Sequence, residues 1–362
     1  MTASAIRQRP CKALVVGSLG LVGGNVASHL QACGDWHVVG VSRSAPARPV
    51  AYEHLRLDLL DAEACRAAAA GLRDVTHIFF CARFSHRDTA LEARTNLAML
   101  RNLLEPLEDS AALEHVCLVH GTKWYGSHLG PYRTPAREDD PRHMPPNYYY
   151  DQHDYVAALQ GGRSWTWSTV RPHIVCGTTT GYPFNLITLL GAYGAICAER
   201  GLPLDFPGTE ACFRSVSQAT DIGLLCRAMV WMATTPACAN QSFNIVNSDY
   251  FRWCSLWPRL AAFFGVPMGI VRPQKLAATM ATSATLWRAM SDRCGLGISD
   301  LQALANWSFG DFLFAADWDD MSSTAKARRH GFHDTVETEP SIIEALERLR
   351  ATRIIPARHA MG

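Results

Sequence analysis

Short apolar runs alternate along the chain with segments whose apolar residues recur every three or four positions. Residues 12–16 read as a strand that meets glycines at 17, 20 and 23, and a helical pattern follows over about 21–32. WHVVGVS (36–42) is a second strand and 54–57 a short third. An alanine-rich helix over 61–71 leads to a fourth strand, VTHIFFC (75–81). Leu91, Leu97, Leu100 and Leu104 share one face of a helix over 86–105, and 114–120 is a fifth strand. Strands alternating with helices predict an α/β fold, a Rossmann-type doubly wound parallel sheet whose ligand lies at the C-terminal strand ends.

The period weakens over 121–146, which reads as loop. Asn147 then caps a helix over about 148–159. WTWSTVR (165–171) is a sixth strand, and 184–199 is a long apolar helix whose Gly191, Ala192, Gly194 and Ala195 predict close packing. A short extended piece (204–207), a helix (221–232), a strand (242–246) and helices at about 253–264, 276–291, 310–317 and 337–351 complete the pattern, with residues 1–11 a loose tail. No repeat and no linker separates the halves. The expected organisation is a dinucleotide-binding domain over 1–180 that also takes in parts of 210–250, and a smaller, mainly helical substrate lobe over 181–362 interleaved with it.

Composition narrows the class. The 362 residues carry a net charge of +1 and are 48% hydrophobic, which argues against disorder and gives no reason to expect nucleic acid or an anionic membrane as partner. No apolar run is long enough for a membrane span or has the form of a signal peptide, so a cytoplasmic enzyme is expected. Twelve cysteines without a CxxC pair predict free thiols in a reducing compartment, and fourteen scattered histidines without HExxH predict no metal site. Of 34 basic residues only Lys12, Lys123, Lys275 and Lys326 are lysines. In an arginine-rich chain, a lysine is a candidate for chemistry that needs a compact ammonium of adjustable pKa.

The candidate chemistry begins at the glycine turn. A strand, a tight GxxGxxG turn and a helix N-terminus form a cradle for a dinucleotide pyrophosphate. At the end of the second strand, Ser42-Arg43-Ser44 offers a guanidinium and no carboxylate, which favours the 2′-phosphate of NADPH over the free ribose of NADH. Asp58, just past the third strand, is placed to meet the adenine amino group. Short-chain dehydrogenases normally carry YxxxK on one helix, but no YxxxK exists here. Four residues after Tyr149 stands His153, which could replace the lysine in place. Alternatively the lysine comes from elsewhere, and Lys123, just past the fifth strand, is the preferred candidate.

At this point a family resemblance becomes specific. GSLGLVG (17–23), GVSR (40–43), DVTHIFF (74–80), GTKWYG (121–126), PPNYYYDQHD (145–154), TWSTVRPHIVCG (166–177), AICAERGLPLDFPGT (195–209), SFNIVNSDYFRW (242–253) and NWSFGDF (306–312) run in order through nearly the whole chain. Together they resemble the progesterone 5β-reductase/iridoid synthase-like group of atypical short-chain dehydrogenase/reductases. The resemblance implies that Lys123 of GxKxY and Tyr149, the first tyrosine of the pair after Asn-aromatic, are catalytic. It also implies a cofactor site made of Gly17, Ser18, Leu19, Gly20, Leu21, Val22, Gly23, Ser42, Arg43, Ser44, Asp58, Leu59, Cys81, Ala82, Pro172 and Val175. Tyr132, Asn185, Trp307 and Phe309 are candidates for an apolar substrate pocket. The implied reaction is NADPH-dependent reduction of an activated C=C bond in a small apolar carbonyl compound, with carbonyl reduction or a non-redox isomerase or lyase as alternatives and an NADP-sensing regulator further behind. A homodimer is admitted. The chain departs from the family at His120, where a small hydroxyl residue is usual, at Trp124 and Tyr148, and at Ser44, which stands where the cofactor signature has a second arginine.

Overall fold

The computed structural model describes residues 11–108, 112–179 and 182–357; the tail expected over 1–11 lies outside them except for Cys11. Seven strands form the main sheet. Six are β1 (Cys11–Val16), β2 (Trp36–Ser42), β3 (Glu53–Arg56), β4 (His77–Phe80), β5 (His115–Val119) and β6 (Thr166–Pro172), and Gln241–Ile245 is the seventh. Their spatial order is β3-β2-β1-β4-β5-β6 and then the 241–245 strand, the doubly wound arrangement. β1 to β6 pair in parallel throughout. Their buried Val, Leu, Ile and Phe side chains are what a sheet covered on both faces requires.

Helices α1 (Leu21–Cys33), α2 (Ala62–Ala69), α3 (Thr89–Glu108) and α4 (Tyr148–Gln160) follow β1, β3, β4 and β5. Asp61 caps α2 by accepting from Ala64 N, so the helix begins just inside the expected span. The buried face of α3 is offset from the expected leucine stripe. Leu100, Leu103, Leu104 and Leu107 are inside, while Leu91 and Leu97 are only partly covered. The cause is Asn96, which is fully buried. Its amide accepts from Phe84 N at 2.9 Å and donates to Phe84 O at 2.7 Å, turning that edge of the helix towards the loop after β4.

The chain divides into two compact units. One comprises 1–124, 142–171 and 226–243; the other comprises 125–141, 172–225 and 244–362. The second is built on α5 (Leu186–Glu199), buried almost all round. A Cβ on Gly194 would enter the ring of Phe264, and one on Gly191 would meet Ile355, so the small residues of α5 do receive close neighbours. Trp253, Trp257, Phe206 and Phe314 form an aromatic centre in the same core.

Two of the expected helices differ. The one expected over 276–291 is broken into Leu276–Thr279, a 3-10 turn at Ala281–Ser283 and Ala284–Cys294. Thr279 Oγ1 donates to Lys275 O and Thr282 Oγ1 to Thr279 O, local bonds that compete with a continuous helix. The one expected over 310–317 starts earlier, at Trp307–Leu313, because Asn306 accepts from Phe309 N and caps it. Among the described residues no helix is long and apolar enough to cross a membrane, and no cluster of His, Cys, Asp or Glu could hold a metal.

Candidate active site

The glycine turn has the geometry of a phosphate cradle. Gly17 has φ +81°, and its N–H and that of Ser18 both donate to Val41 O, at 2.8 and 3.0 Å. A Cβ on Gly17 would sit 2.8 Å from Ala82 N, and one on Gly23 would strike the carbonyl oxygen of Gly17. The turn is therefore pressed against the 81–82 backbone and against the first turn of α1 with no room for side chains. Gly20 is the N-cap of α1 and brings no capping side chain, and the first turn carries no acid. The N–H groups of Gly17, Ser18 and Gly20 are used within the fold, and the uncapped first turn of α1 offers the positive helix end that a pyrophosphate needs. These residues fit a nicotinamide dinucleotide.

At the end of β2, Ser42 Oγ donates to Ser44 O at 2.7 Å and lies 2.7 Å from His54 Nε2. Arg43 and Ser44 are exposed. Asp58 follows β3 with its carboxylate accepting from Leu60 N, whereas Leu59 is buried in the core and its carbonyl accepts from Asn102. Leu21 is buried; Leu19 and Val22 are partly exposed. Burial pushes the Cys81 thiol well up, so it stays protonated.

Lys123 lies in a 3-10 turn, Thr122–Tyr125, directly after β5. Tyr149 lies in the first turn of α4. One side chain serves both. Asn147 Nδ2 donates to Lys123 O at 2.9 Å, and Asn147 Oδ1 accepts from Tyr149 N at 3.1 Å. Tyr150 adds a second tie: its hydroxyl donates to Trp124 O at 2.6 Å and accepts from His143 N at 2.8 Å. The lysine turn and the tyrosine helix are thus fastened together although 26 residues separate Trp124 from Tyr150.

The electrostatics of the pair come from burial and one further cation. Burial holds the Lys123 ammonium below the usual lysine range, Arg83 pushes the same way, and Glu92 opposes them. Arg83 lies 5.9 Å over the Tyr148 ring and bonds Glu92 at 3.2 Å. Sequence reasoning missed Arg83, which sits in the loop after β4 without a motif to mark it. Tyr148 is buried against Tyr149, ring centroids 4.4 Å apart, and burial pushes its phenol well above the usual range.

A stack of rings and cations supports Tyr149. His120 lies 4.8 Å from the Tyr149 ring and 5.9 Å from Trp124, and the guanidinium of Arg171 lies 3.7 Å from the centre of Trp124. A desolvated guanidinium over indole contributes about 2 kcal/mol. Burial, then the charges of Arg171, His153 and Arg142, hold His120 well below the usual histidine range, so its ring is neutral. His153, the in-place alternative to the lysine, is edge-on to both Trp124 and Trp167, with Nδ1 3.2 Å from Asp154.

In the second unit, Pro172 is the last residue of β6, and Val175 pairs with Thr220. The Tyr132 hydroxyl donates to Asp320, and its ring stacks on Tyr125 at 6.3 Å. Asn185 is wholly buried. It accepts from Ile187 N at 2.9 Å and donates to Gly177 O at 3.0 Å, so its amide is spent on starting α5. Trp307 is buried in the unit's core, and Phe309 is half-buried, its ring edge-on to the exposed Phe184 with centroids 6.2 Å apart.

The PRISE-like Rossmann-fold domain model matches residues 56–356. The chain is 33% identical to (S)-8-oxocitronellyl enol synthase CYC2 of Camptotheca acuminata, over 96% of this chain and 94% of that protein. It is 31% identical to 3-oxo-Delta(4,5)-steroid 5-beta-reductase of Arabidopsis thaliana, over 95% and 93%. The UDP-glucose 4-epimerase of Thermotoga maritima shares the fold, with a TM-score of 0.69 at 18% identity over 94% of this chain and 99% of that one. With its parallel sheet, its glycine turn and this full-length similarity, the chain belongs to the PRISE-like Rossmann-fold family and is an oxidoreductase of the short-chain dehydrogenase/reductase type.

Proposed function

We propose that the chain is an NADPH-dependent reductase of activated C=C bonds, acting on small apolar enones or enals through Lys123 and Tyr149. The observation that carries this reading is the Asn147 bridge, which fastens the Lys123 turn to the start of the Tyr149 helix in a chain of this family. The names of its relatives, an enol synthase and a Δ(4,5)-steroid 5β-reductase, support a site that handles an enolate oxygen.

Bound NADPH supplies the hydride that adds to the β-carbon. The residues of the chain manage the charge that this moves onto the carbonyl oxygen. The Tyr149 hydroxyl donates to that oxygen, and the Lys123 ammonium stabilises the phenol and the developing anion. A preorganised donor of this kind contributes about 3 kcal/mol, a hundredfold or more in rate. The His120 ring holds the Tyr149 ring from behind without adding a charge. Arg83 adds a fixed positive field near the pair. The α-carbon takes its proton from water, so no further acid is needed. The glycine turn holds the pyrophosphate, and Arg43 meets the 2′-phosphate.

Purified protein given NADPH and a panel of enones and enals should consume the cofactor and return the saturated carbonyl compound. Tyr149→Phe and Lys123→Met should each lower turnover at least tenfold with the fold intact by circular dichroism. Alcohol products alone would replace this reading with carbonyl reduction. Normal turnover in both variants would remove the pair.

A further inference from the structure

The proposed cofactor carries a phosphate monoester of nearly two negative charges at the adenosine 2′ position, and the end of β2 offers it one arginine, with Ser44 where the family signature has a second. The neighbouring strand supplies another. Arg56 is the last residue of β3 and pairs in register with Ser42. Its Nε donates to the carbonyl oxygen of Arg43 at 3.2 Å. That bond uses the one N–H that points back along the side chain and leaves the two Nη groups, the flat fork that matches phosphate oxygens.

The surroundings leave this charge free for a ligand. Glu53 is engaged with His37 at 3.2 Å, and Asp58 accepts from Leu60 N. Among the described residues no carboxylate lies within ion-pairing distance of Arg43 or Arg56. His54 adds no cation, because burial lowers its pKa and its Nε2 is held by Ser42 Oγ. The strand end itself is fixed, since Leu57 N donates to Ser42 O at 2.9 Å and Ser42 Oγ to Ser44 O.

We propose that Arg56 is a specificity-determining residue of the cofactor site, supplying from β3 the second guanidinium for the 2′-phosphate that Ser44 does not. This rests on the NADPH reading above, and the test separates the two. Binding of 2′,5′-ADP and of 5′-AMP to the whole protein is measured by calorimetry. The native chain should prefer 2′,5′-ADP by a hundredfold or more. Arg56→Gln should reduce that preference at least tenfold while 5′-AMP binding stays within twofold, and Arg56→Lys should restore part of it. If Arg56→Gln leaves the preference intact while Arg43→Ala abolishes it, Arg43 acts alone and the proposal falls, with the NADPH reading standing. If Arg56→Gln weakens both ligands equally, Arg56 only braces the strand end and the proposal also falls. If the native chain shows no preference for 2′,5′-ADP, the NADPH reading fails and takes the proposal with it.

Discussion

Two buried histidines, one in each unit, are treated in opposite ways. His120 sits among Tyr149, Trp124 and the cations Arg171 and Arg142, and burial and those charges keep it neutral. His173 faces a carboxylate: Nδ1 lies 3.3 Å from Asp320, and Nε2 lies 2.8 Å from Ser322 Oγ. Burial raises the Asp320 pKa, but the charge and bond of His173 and the Tyr132 hydroxyl outweigh this and hold the carboxyl below its usual range. The first histidine serves as an apolar plate. The second belongs to a polar network in which Asp320 also accepts from Tyr132, 188 residues away. At His120 burial acts first and the neighbouring cations add to it, whereas His173 is held by polar partners on both ring nitrogens.

Substitution by phenylalanine should separate the two cases most strongly. His173→Phe leaves the buried Ser322 hydroxyl without its partner and takes one of two partners from the Asp320 carboxylate, which keeps Tyr132, and should lower unfolding free energy by about 2 kcal/mol in urea titration. His120→Phe keeps a flat ring against Tyr149 and gives up no ion pair, so its cost should stay under about 1 kcal/mol. Equal costs would dissolve the contrast.

A smaller effect tests what the His120 plate supports. Asn147→Ala removes the α4 cap and should cost about 1 kcal/mol in stability. Turnover should fall far more than the stability loss accounts for, because the tie to Lys123 goes too. If turnover simply follows the folded fraction, the bridge is only a cap.

The most gradual effect is in pH. His120 has a folded pKa below the unfolded value of about 6.5, so as pH falls the unfolded chain takes up the proton first. Its contribution is fully present above that value and is lost as pH drops below it. His120→Phe should flatten the stability curve on the acid side of pH 6.5, by at most about 1.4 kcal/mol per pH unit. Asp320 runs the same way at lower pH. Its folded pKa is depressed, so its stabilisation is present above about pH 4 and fades below it. Asp320→Asn should remove that acid limb and leave the His120 limb unchanged.

What could be read from the chain was local. The β1 strand and the glycine turn announce themselves within a dozen residues, because period and glycine spacing are short-range properties. Lys123 and Tyr149 could be named because each sits in a compact motif. His120, Trp124 and Tyr148 were visible as departures, but not their stacking, which depends on β5, the 3-10 turn and α4 meeting. Arg83, Arg56 and the Tyr132–Asp320–His173 network carry no spacing signal at all, since their partners come from other strands and loops. The same reason explains Asn185, whose type suits a pocket wall but whose amide is used to start a helix.

The Asn147 bridge has a consequence for how such a site can change. Where a lysine and a tyrosine share one helix, their separation is counted out in covalent bonds, and no single substitution can alter it. Here the count is replaced by hydrogen bonds, two made by the Asn147 amide and one donated by the Tyr150 hydroxyl to Trp124 O. The fastening between the two groups is noncovalent. A change of one atom, from the amide nitrogen of Asn147 to the oxygen of aspartate, would keep the helix cap and remove one of the two ties to the lysine turn, leaving the Tyr150 hydroxyl to hold it, so the fastening can be loosened without moving either catalytic candidate in the sequence.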